Sequence, residues 1–202
     1  MILDNPAFAA LYTYTKGLSV ALGYRDRLTQ LHSERVFGLS SELGANCGLS
    51  SHEQDILKIA ASFHDIGKIG IPDHILLKPT QFTEEEWVQM KKHSEIGEKI
   101  MAATELEGSQ QAALAIRHHH EHYDGKGYPD GLSGKSIPVI SRIISIADSY
   151  DAMAVTRSYH QAKKHPEIMS IMHKETGEKH DPELMQVFCG IIESSKFKST
   201  GN

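Results

Sequence analysis

An all-α fold is predicted for this chain of 202 residues, and three observations carry the prediction. Apolar residues recur at helical spacing almost throughout, as in Ile140, Ile143, Ile144 and Ala147 at i, i+3, i+4 and i+7. Helix-start signals precede such segments: Ser50 with Glu53 and Thr83 with Glu86 each spell a capping box. No convincing period-2 strand and no internal repeat is found.

The elements follow in order. A first helix is expected over 6–22, opened by Pro6, and a second over 25–46, ended by Asn46 and Gly48. Ser50 opens a third, whose last turn carries Phe63, His64 and Asp65 before Gly67 and Gly70 break it. Pro72 and Asp73 begin a short helical turn. Thr83 starts a helix with Trp87 and Met90, leading to His93; further helices are expected over 94–103 and 109–120, the latter ending in His118, His119 and His120. Residues 122–137, with five glycines and prolines among Gly125, Gly127, Pro129, Gly131 and Gly134, form the longest irregular stretch. Pro138 is placed at the first helical position of the next segment. Helices from Pro166 and from Asp181–Pro182 close the chain, and 196–202 reads as a frayed tail.

Length points to one domain, with 1–22 as an N-terminal helix (a connector from a larger protein is one reading), 23–195 as the domain proper and 196–202 as tail. Two cysteines, Cys47 and Cys189, exclude a disulfide framework and a cysteine-only zinc site. A net charge of −5 without long runs argues against duplex nucleic acid as a partner. No apolar stretch reaches the roughly 18 residues of a membrane span, and no secretory signal is visible, so a cytoplasmic setting is expected.

The unusual number is 13 histidines. His32, His64–Asp65, His93, His119–His120 and Asp148 each stand on or beside an apolar helical segment. A single histidine at a helix end is ordinarily a solvated cap, and the His-Asp dipeptide alone is weak. As a set, imidazoles and carboxylates at core-facing positions need partners or a metal, since burying them bare costs several kcal/mol. Mixed imidazole and carboxylate donors suit Fe, Mn, Zn or Ni and not Ca or Mg. His52, His122, His165, His173 and His180 have polar neighbours and are read as solvated.

The run HDIGK followed by IPDHILLKP, the run HHEHYDGKGYPDGLSGKSIP from His119, and RIISIADSYDAMAVTRSY from Arg142 to Tyr159 resemble, in order, three signature blocks of the HD-GYP domain family, a branch of the HD phosphohydrolase superfamily. The resemblance covers about residues 25–190 and implies a single HD-type helical bundle with a long Gly-rich loop. It also implies a metal-dependent phosphodiesterase that hydrolyses cyclic di-GMP to linear pGpG, with further cleavage to GMP left open. Carried over, His32, His64, Asp65 and Asp148 would hold one divalent ion, and Asp65 as bridge with His93, His119 and His120 the other, iron or manganese being usual. His118 is then outside the motif. Trinuclear members carry a Glu one turn before the first histidine ligand; Leu28 stands there, so two ions are expected. Two ions about 3.5–4 Å apart can share a water, lower its pKa and deliver hydroxide in line to phosphorus.

Lys68, one turn after His64, is expected to reach a phosphate oxygen or the departing oxygen. Arg157 is assigned to the second phosphate because guanidinium matches phosphate geometry; His160 stands where the family often has a second basic residue. Tyr128 offers a ring for a base and a hydroxyl for a phosphate. The resemblance also implies docking of diguanylate cyclase (GGDEF) domains on the Gly-Tyr-Pro loop. Glu121 is expected to orient a ligand histidine, Asp124 to hold the loop, and Asp151 to form an ion pair or cap. Two other functions stay open: a phosphodiesterase for another substrate such as cyclic GMP-AMP or a mononucleotide, and a non-catalytic docking module that keeps its metals for structure.

Overall fold

The computed structural model describes residues 6–156 and 161–201, with the backbone alone for Ala7. Ten α-helices and two 3₁₀ turns follow one another among the described residues: α1 (Pro6–Arg25), α2 (Arg27–Ala45), α3 (Ser51–Phe63), η1 (Ile66–Gly70), α4 (Asp73–Leu76), α5 (Glu84–Lys91), α6 (His93–Ala102), α7 (Ser109–Arg117), η2 (Gly134–Ser136), α8 (Val139–Ala154), α9 (His165–Lys174) and α10 (Pro182–Ile192). No strand occurs among them, only an isolated bridge between Thr176 and His180. The all-α expectation holds.

Helix boundaries follow from caps. Both expected capping boxes form: Ser50 Oγ accepts from the Glu53 amide and Thr83 Oγ1 from the Glu86 amide, while each glutamate accepts from the cap residue's own N–H. Asp26 separates α1 from α2, its carboxylate accepting from the Leu28 and Thr29 amides. The first helix therefore runs three residues past its expected end, to Arg25. Pro138 is the cap residue, not the first helical one, and the helix starts at Val139. The histidine run lies outside its helix: α7 stops at Arg117, and His118–His120 form a turn closed by the Glu121 amide on the His118 carbonyl.

One apolar core joins α1, α2, α3, α7, α8 and α10, through Leu11, Leu39, Ile59, Ile116, Ile143 and Phe188, all at most 1% exposed. α2, α3 and α8 pack on one another and form its spine. The tail is tied down: Phe197 packs against the core, and Ser199 donates from N to Tyr150 Oη at 3.0 Å and from Oγ to the Lys163 carbonyl at 2.7 Å. No helix of the described residues is long and apolar enough to cross a membrane.

Candidate metal centre and substrate cleft

Three of the singled-out histidines stand at helix ends and solve the same local problem. His64 ends α3, His93 follows α5, and His119 follows α7. The last carbonyls of a helix lack intrahelical donors. Nδ1 of each imidazole lies against the carbonyl three residues earlier: Ala61 at 2.9 Å, Met90 at 2.7 Å and Ile116 at 2.6 Å. A carbonyl only accepts, so each Nδ1 carries the proton and each Nε2 presents a lone pair. The helix ends thus set tautomer and ring direction together.

Those lone pairs converge. Nε2 of His64 and of His119 are buried without a hydrogen-bond partner, a situation that costs about 1–3 kcal/mol per atom unless something fills it. Nε2 of His93 and of His120 face each other at 3.1 Å. Among the described residues potential donor atoms fall into three groups, each within 4.8 Å internally: His32, His64 and Asp148; His93, His119 and His120; and, on the Gly-Tyr-Pro loop, His118, Glu121 and Asp130, whose carboxylates are already engaged by Arg117 and by loop amides. Asp65 lies between the first two. Its Oδ2 is 3.6 Å from His64 Nε2 and 3.9 Å from His32 Nε2, and its Oδ1 is 3.5 Å from His93 Nε2. The seven residues expected to hold metal are therefore together, and their orphaned nitrogens and carboxylates fit divalent metal ions.

His32 is built differently. Its Nδ1 meets Asp151 Oδ2 at 2.6 Å and its Nε2 meets Asp148 Oδ1 at 2.9 Å. Burial opposes a charge there, but hydrogen bonds to Asp148 and Asp151 outweigh it and raise the pKa. The other four imidazoles move down. Burial, joined by like-charged neighbours, lowers His64 and His93, takes His119 to about 3 and holds His120 well below its ordinary value. Burial alone would raise Asp65, yet the Lys68 ammonium at 2.7 Å and the surrounding imidazoles hold it well below the usual carboxylate range.

Local sequence explains how these elements come so close. A Cβ on Gly67 would lie 1.8 Å from the His93 carbonyl oxygen and 2.5 Å from the Gly97 nitrogen, so only glycine lets η1 rest on the start of α6. Arg25, at the end of α1, fastens the other side of η1. Its guanidinium donates to the carbonyls of Lys68 (3.3 Å), Ile69 and Ile71, and pairs with Asp73 at 2.7 Å. The turn that carries Lys68 is thus held by backbone contacts on both faces.

Five of the seven metal-ligand candidates, His32, Asp65, His93, His120 and Asp148, form the floor of a cleft of about 490 Å³, in the range of small-molecule sites. Lys68 and Tyr128 line it, as does Leu28 at the position where a third acidic ligand would stand. The Tyr128 ring lies 4.8 Å from that of His120, and burial pushes its hydroxyl pKa up. Arg157, assigned to a phosphate, and His160 lie outside the described residues. A second cleft of about 540 Å³ between α9, α10 and the tail contains none of the His/Asp groups able to hold metal among the described residues.

The Gly-Tyr-Pro loop is held by its own network of side chains, in which Glu121 departs from expectation. Glu121 faces no ligand histidine; it accepts from the Asp130 amide at 2.7 Å and the Leu132 amide at 3.1 Å, so it shapes the loop. Asp151 forms the expected ion pair, with Arg35 bidentate at 2.7 and 3.0 Å, and in addition it orients His32 through Nδ1, the role expected of Glu121. Arg117 grips Asp130 with two bonds at 2.7 and 2.8 Å, and His118 adds a third at 2.9 Å. Asp124 caps the Lys126 amide, as expected. Gly127 is forced: a Cβ there would meet the His122 nitrogen at 2.2 Å and the His120 carbonyl oxygen at 2.5 Å.

Two histidines read as solvated are buried. His165 joins Tyr150 Oη at 2.8 Å to Glu193 at 2.9 Å, and His180 is 1% exposed beside Glu175. Their sequence neighbours are polar, so only tertiary packing of α9 and α10 hides them.

Residues 19–184 match the HD domain family, and the chain belongs to it; the resemblance to its HD-GYP branch stands. The chain is 39% identical over 165 residues to the cyclic di-GMP phosphodiesterase response regulator RpfG of Xanthomonas campestris pv. campestris, covering 82% of this chain and 44% of that protein. It is 36% identical over 170 residues to the 3'3'-cGAMP-specific phosphodiesterase 2 of Vibrio cholerae, covering 84% and 33%. The chain thus spans less than half the length of either relative. Among solved structures, an HDG"Y"P protein from Bdellovibrio bacteriovorus superposes with a TM-score of 0.63 at 22% identity, over 81% of this chain and 52% of that one, which shares the fold.

Proposed function

We propose that this chain is a metal-dependent phosphodiesterase for cyclic dinucleotides, with cyclic di-GMP as its main substrate. One observation carries the reading: a buried carboxylate, Asp65, turns its two oxygens toward two separate histidine groups at the floor of a nucleotide-sized cleft, with Lys68 beside it. In this reading His32, His64, Asp65 and Asp148 hold one ion, and Asp65, His93, His119 and His120 the other, iron or manganese. Leu28 offers no donor to a third. When bound, the ions supply Lewis acidity toward phosphate oxygens and acidify water at the cleft floor.

The chain's own groups do the rest. Asp65 stays ionised because Lys68 and the imidazoles favour its charged form. Lys68 Nζ, already at the floor, donates to a phosphate oxygen and neutralises the charge that develops on the departing 3′-oxygen. Tyr128 closes the cleft over His120 and presents its ring to the substrate. Arg157 is assigned to the second phosphate. Residues 23–195 form the catalytic unit, and the Gly-Tyr-Pro loop, ordered by Arg117 and Glu121, is the surface assigned to cyclase domains. Two free cysteines and the substrate class accord with a cytoplasmic setting.

Cyclic GMP-AMP is the second reading, favoured by the identity to a relative named for that substrate. Competitive turnover on the manganese- or iron-loaded protein, followed by chromatography, separates the two. Faster loss of cyclic di-GMP with formation of linear product supports the main reading, and faster loss of cyclic GMP-AMP the second. Loss of neither rejects both and leaves a docking module.

A further inference from the structure

The wall of the cleft away from the metal-ligand candidates is aromatic. Phe82 and Trp87, at the mouth of α5, lie nearly parallel, with an interplanar angle of 17° and centroids 6.2 Å apart. Carbon atoms in full face-to-face contact sit about 3.5–4.0 Å apart, so the two rings are offset; Phe82 is half-buried against the Ile71, Ile75 and Met90 cluster, and Trp87 leaves more of its surface open. Trp87 meets Tyr128 at 6.2 Å and 82°, and Tyr128 in turn lies 4.8 Å from His120. An unbroken series of rings therefore runs from the histidine group outward. Trp87 is 45% exposed, although it lines a cleft and its neighbour Met90 is buried.

An exposed tryptophan at the rim of a phosphodiester-sized cleft needs a reason, because its packing is not what keeps α5 in place. Met90, with Ile71 and Ile75, forms the small cluster that seats α5 on α4. Lys78 Nζ and Glu86 Oε2 pair with each other at 2.5 Å, and Lys91 Nζ stands 5.7 Å from the centroid of the Tyr128 ring. Beside that ammonium, what Phe82 and Trp87 offer a ligand is flat π surface.

We propose that Phe82 and Trp87 form the platform on which one nucleobase of the substrate stacks, one ring beyond Tyr128. The inference rests on the cyclic-dinucleotide reading and deepens it. Stacking reads the face that every base has, so the platform confers affinity for a base without choosing guanine over adenine. Selection between cyclic di-GMP and cyclic GMP-AMP then lies elsewhere in the cleft.

Trp87 is the single tryptophan of the chain, which gives a direct readout. Intrinsic fluorescence of the metal-loaded wild type should be quenched saturably by GMP and left unchanged by ribose 5-phosphate at the same concentration. In turnover, Trp87→Ala should raise KM about 5- to 150-fold with kcat held within about threefold. It should do so equally for cyclic di-GMP and cyclic GMP-AMP, while Trp87→Phe recovers most of the loss and Trp87→Leu does not. Equal quenching by ribose 5-phosphate, or a Trp87→Leu enzyme as good as wild type, overturns the platform. So does a normal KM for Trp87→Ala. If the wild type turns over no cyclic dinucleotide, the functional reading fails by itself; base-dependent quenching by GMP would still support the platform.

Discussion

Replacing Asp151 with alanine probes how the metal-ligand candidates are held without touching one of them except through a hydrogen bond. The Asp151 side chain is 4% exposed and carries three bonds, one to His32 Nδ1 at 2.6 Å and two to Arg35 at 2.7 and 3.0 Å. Its pKa is held down, against burial, by His32 and Arg35. Removing one partner of a buried pair costs about 3–5 kcal/mol. Arg35 is 31% exposed and can turn to water, so a loss of about 2–4 kcal/mol is expected here. His32 would also lose the acceptor that keeps its proton on Nδ1 and its Nε2 aimed at Asp148. Such outer partners typically contribute 10- to 100-fold in metal affinity. Urea unfolding of the metal-free protein reads the first effect, and competition with a chelator reads the second. Asp151→Asn, which can still accept from His32 Nδ1, should keep more metal affinity than stability. A metal affinity within twofold of wild type for Asp151→Ala would refute the orienting role.

Further outcomes follow from the same geometry. Lys68→Ala should leave metal content unchanged and lower kcat about 100- to 1000-fold, the usual loss when one donor to developing charge is removed; a fully active variant, by single-turnover kinetics, ends that assignment. Gly67→Ala should unfold the protein or free His93, since the added methyl meets backbone atoms that cannot turn aside; a variant with wild-type Tm and metal content contradicts the packing described. Arg25→Ala should cost about 1–3 kcal/mol and slow turnover with metal retained, because η1 loses one of its two anchors; equal kcat and equal urea midpoint would show the anchor to be idle. For pH, His64, His93, His119 and His120 all sit below 6.5 in the folded chain. The unfolded chain takes up protons first, so the metal-free protein should lose stability as pH falls from about 6.5 through those folded values, about 3 for His119. His32, shifted upward, acts in reverse: its contribution is whole below 6.5 and fades as pH rises through its raised value. With His122 and His180 also shifted down, six imidazoles against one predict a net fall on acidification, and a urea midpoint that is flat or rising between pH 7.5 and 5 contradicts it.

Much of this was legible in the amino-acid order. Capping boxes at Ser50 and Thr83 are local chemistry, and they form as read. The seven His and Asp residues were legible because each polar group interrupts an apolar helical stretch. Other features were hidden because they depend on partners far along the chain. Arg35 and Asp151 are 116 residues apart, and nothing near either names the other. His165 and His180 looked solvated beside Lys164 and Lys179, and only the packing of α9 and α10 buries them. Glu121 was misread because adjacency to His120 in sequence is not adjacency of side chains: past the end of α7 the turn sends it toward the loop amides. The Arg117 grip on Asp130 could have been suspected from a basic residue at a helix end facing a loop aspartate, but only loop closure brings them together.

The proposed activity depends on two metal ions held by one bridging carboxylate, Asp65. Titrating metal-stripped protein with manganese(II) under anaerobic, reducing conditions, with cyclic di-GMP turnover and bound metal measured on the same samples, tests it most directly. Activity that rises to a break at two equivalents per chain, and that Asp65→Ala abolishes together with the second equivalent, is the predicted result. Full activity at one equivalent, or two tightly bound ions with no hydrolysis of any cyclic dinucleotide, would contradict it.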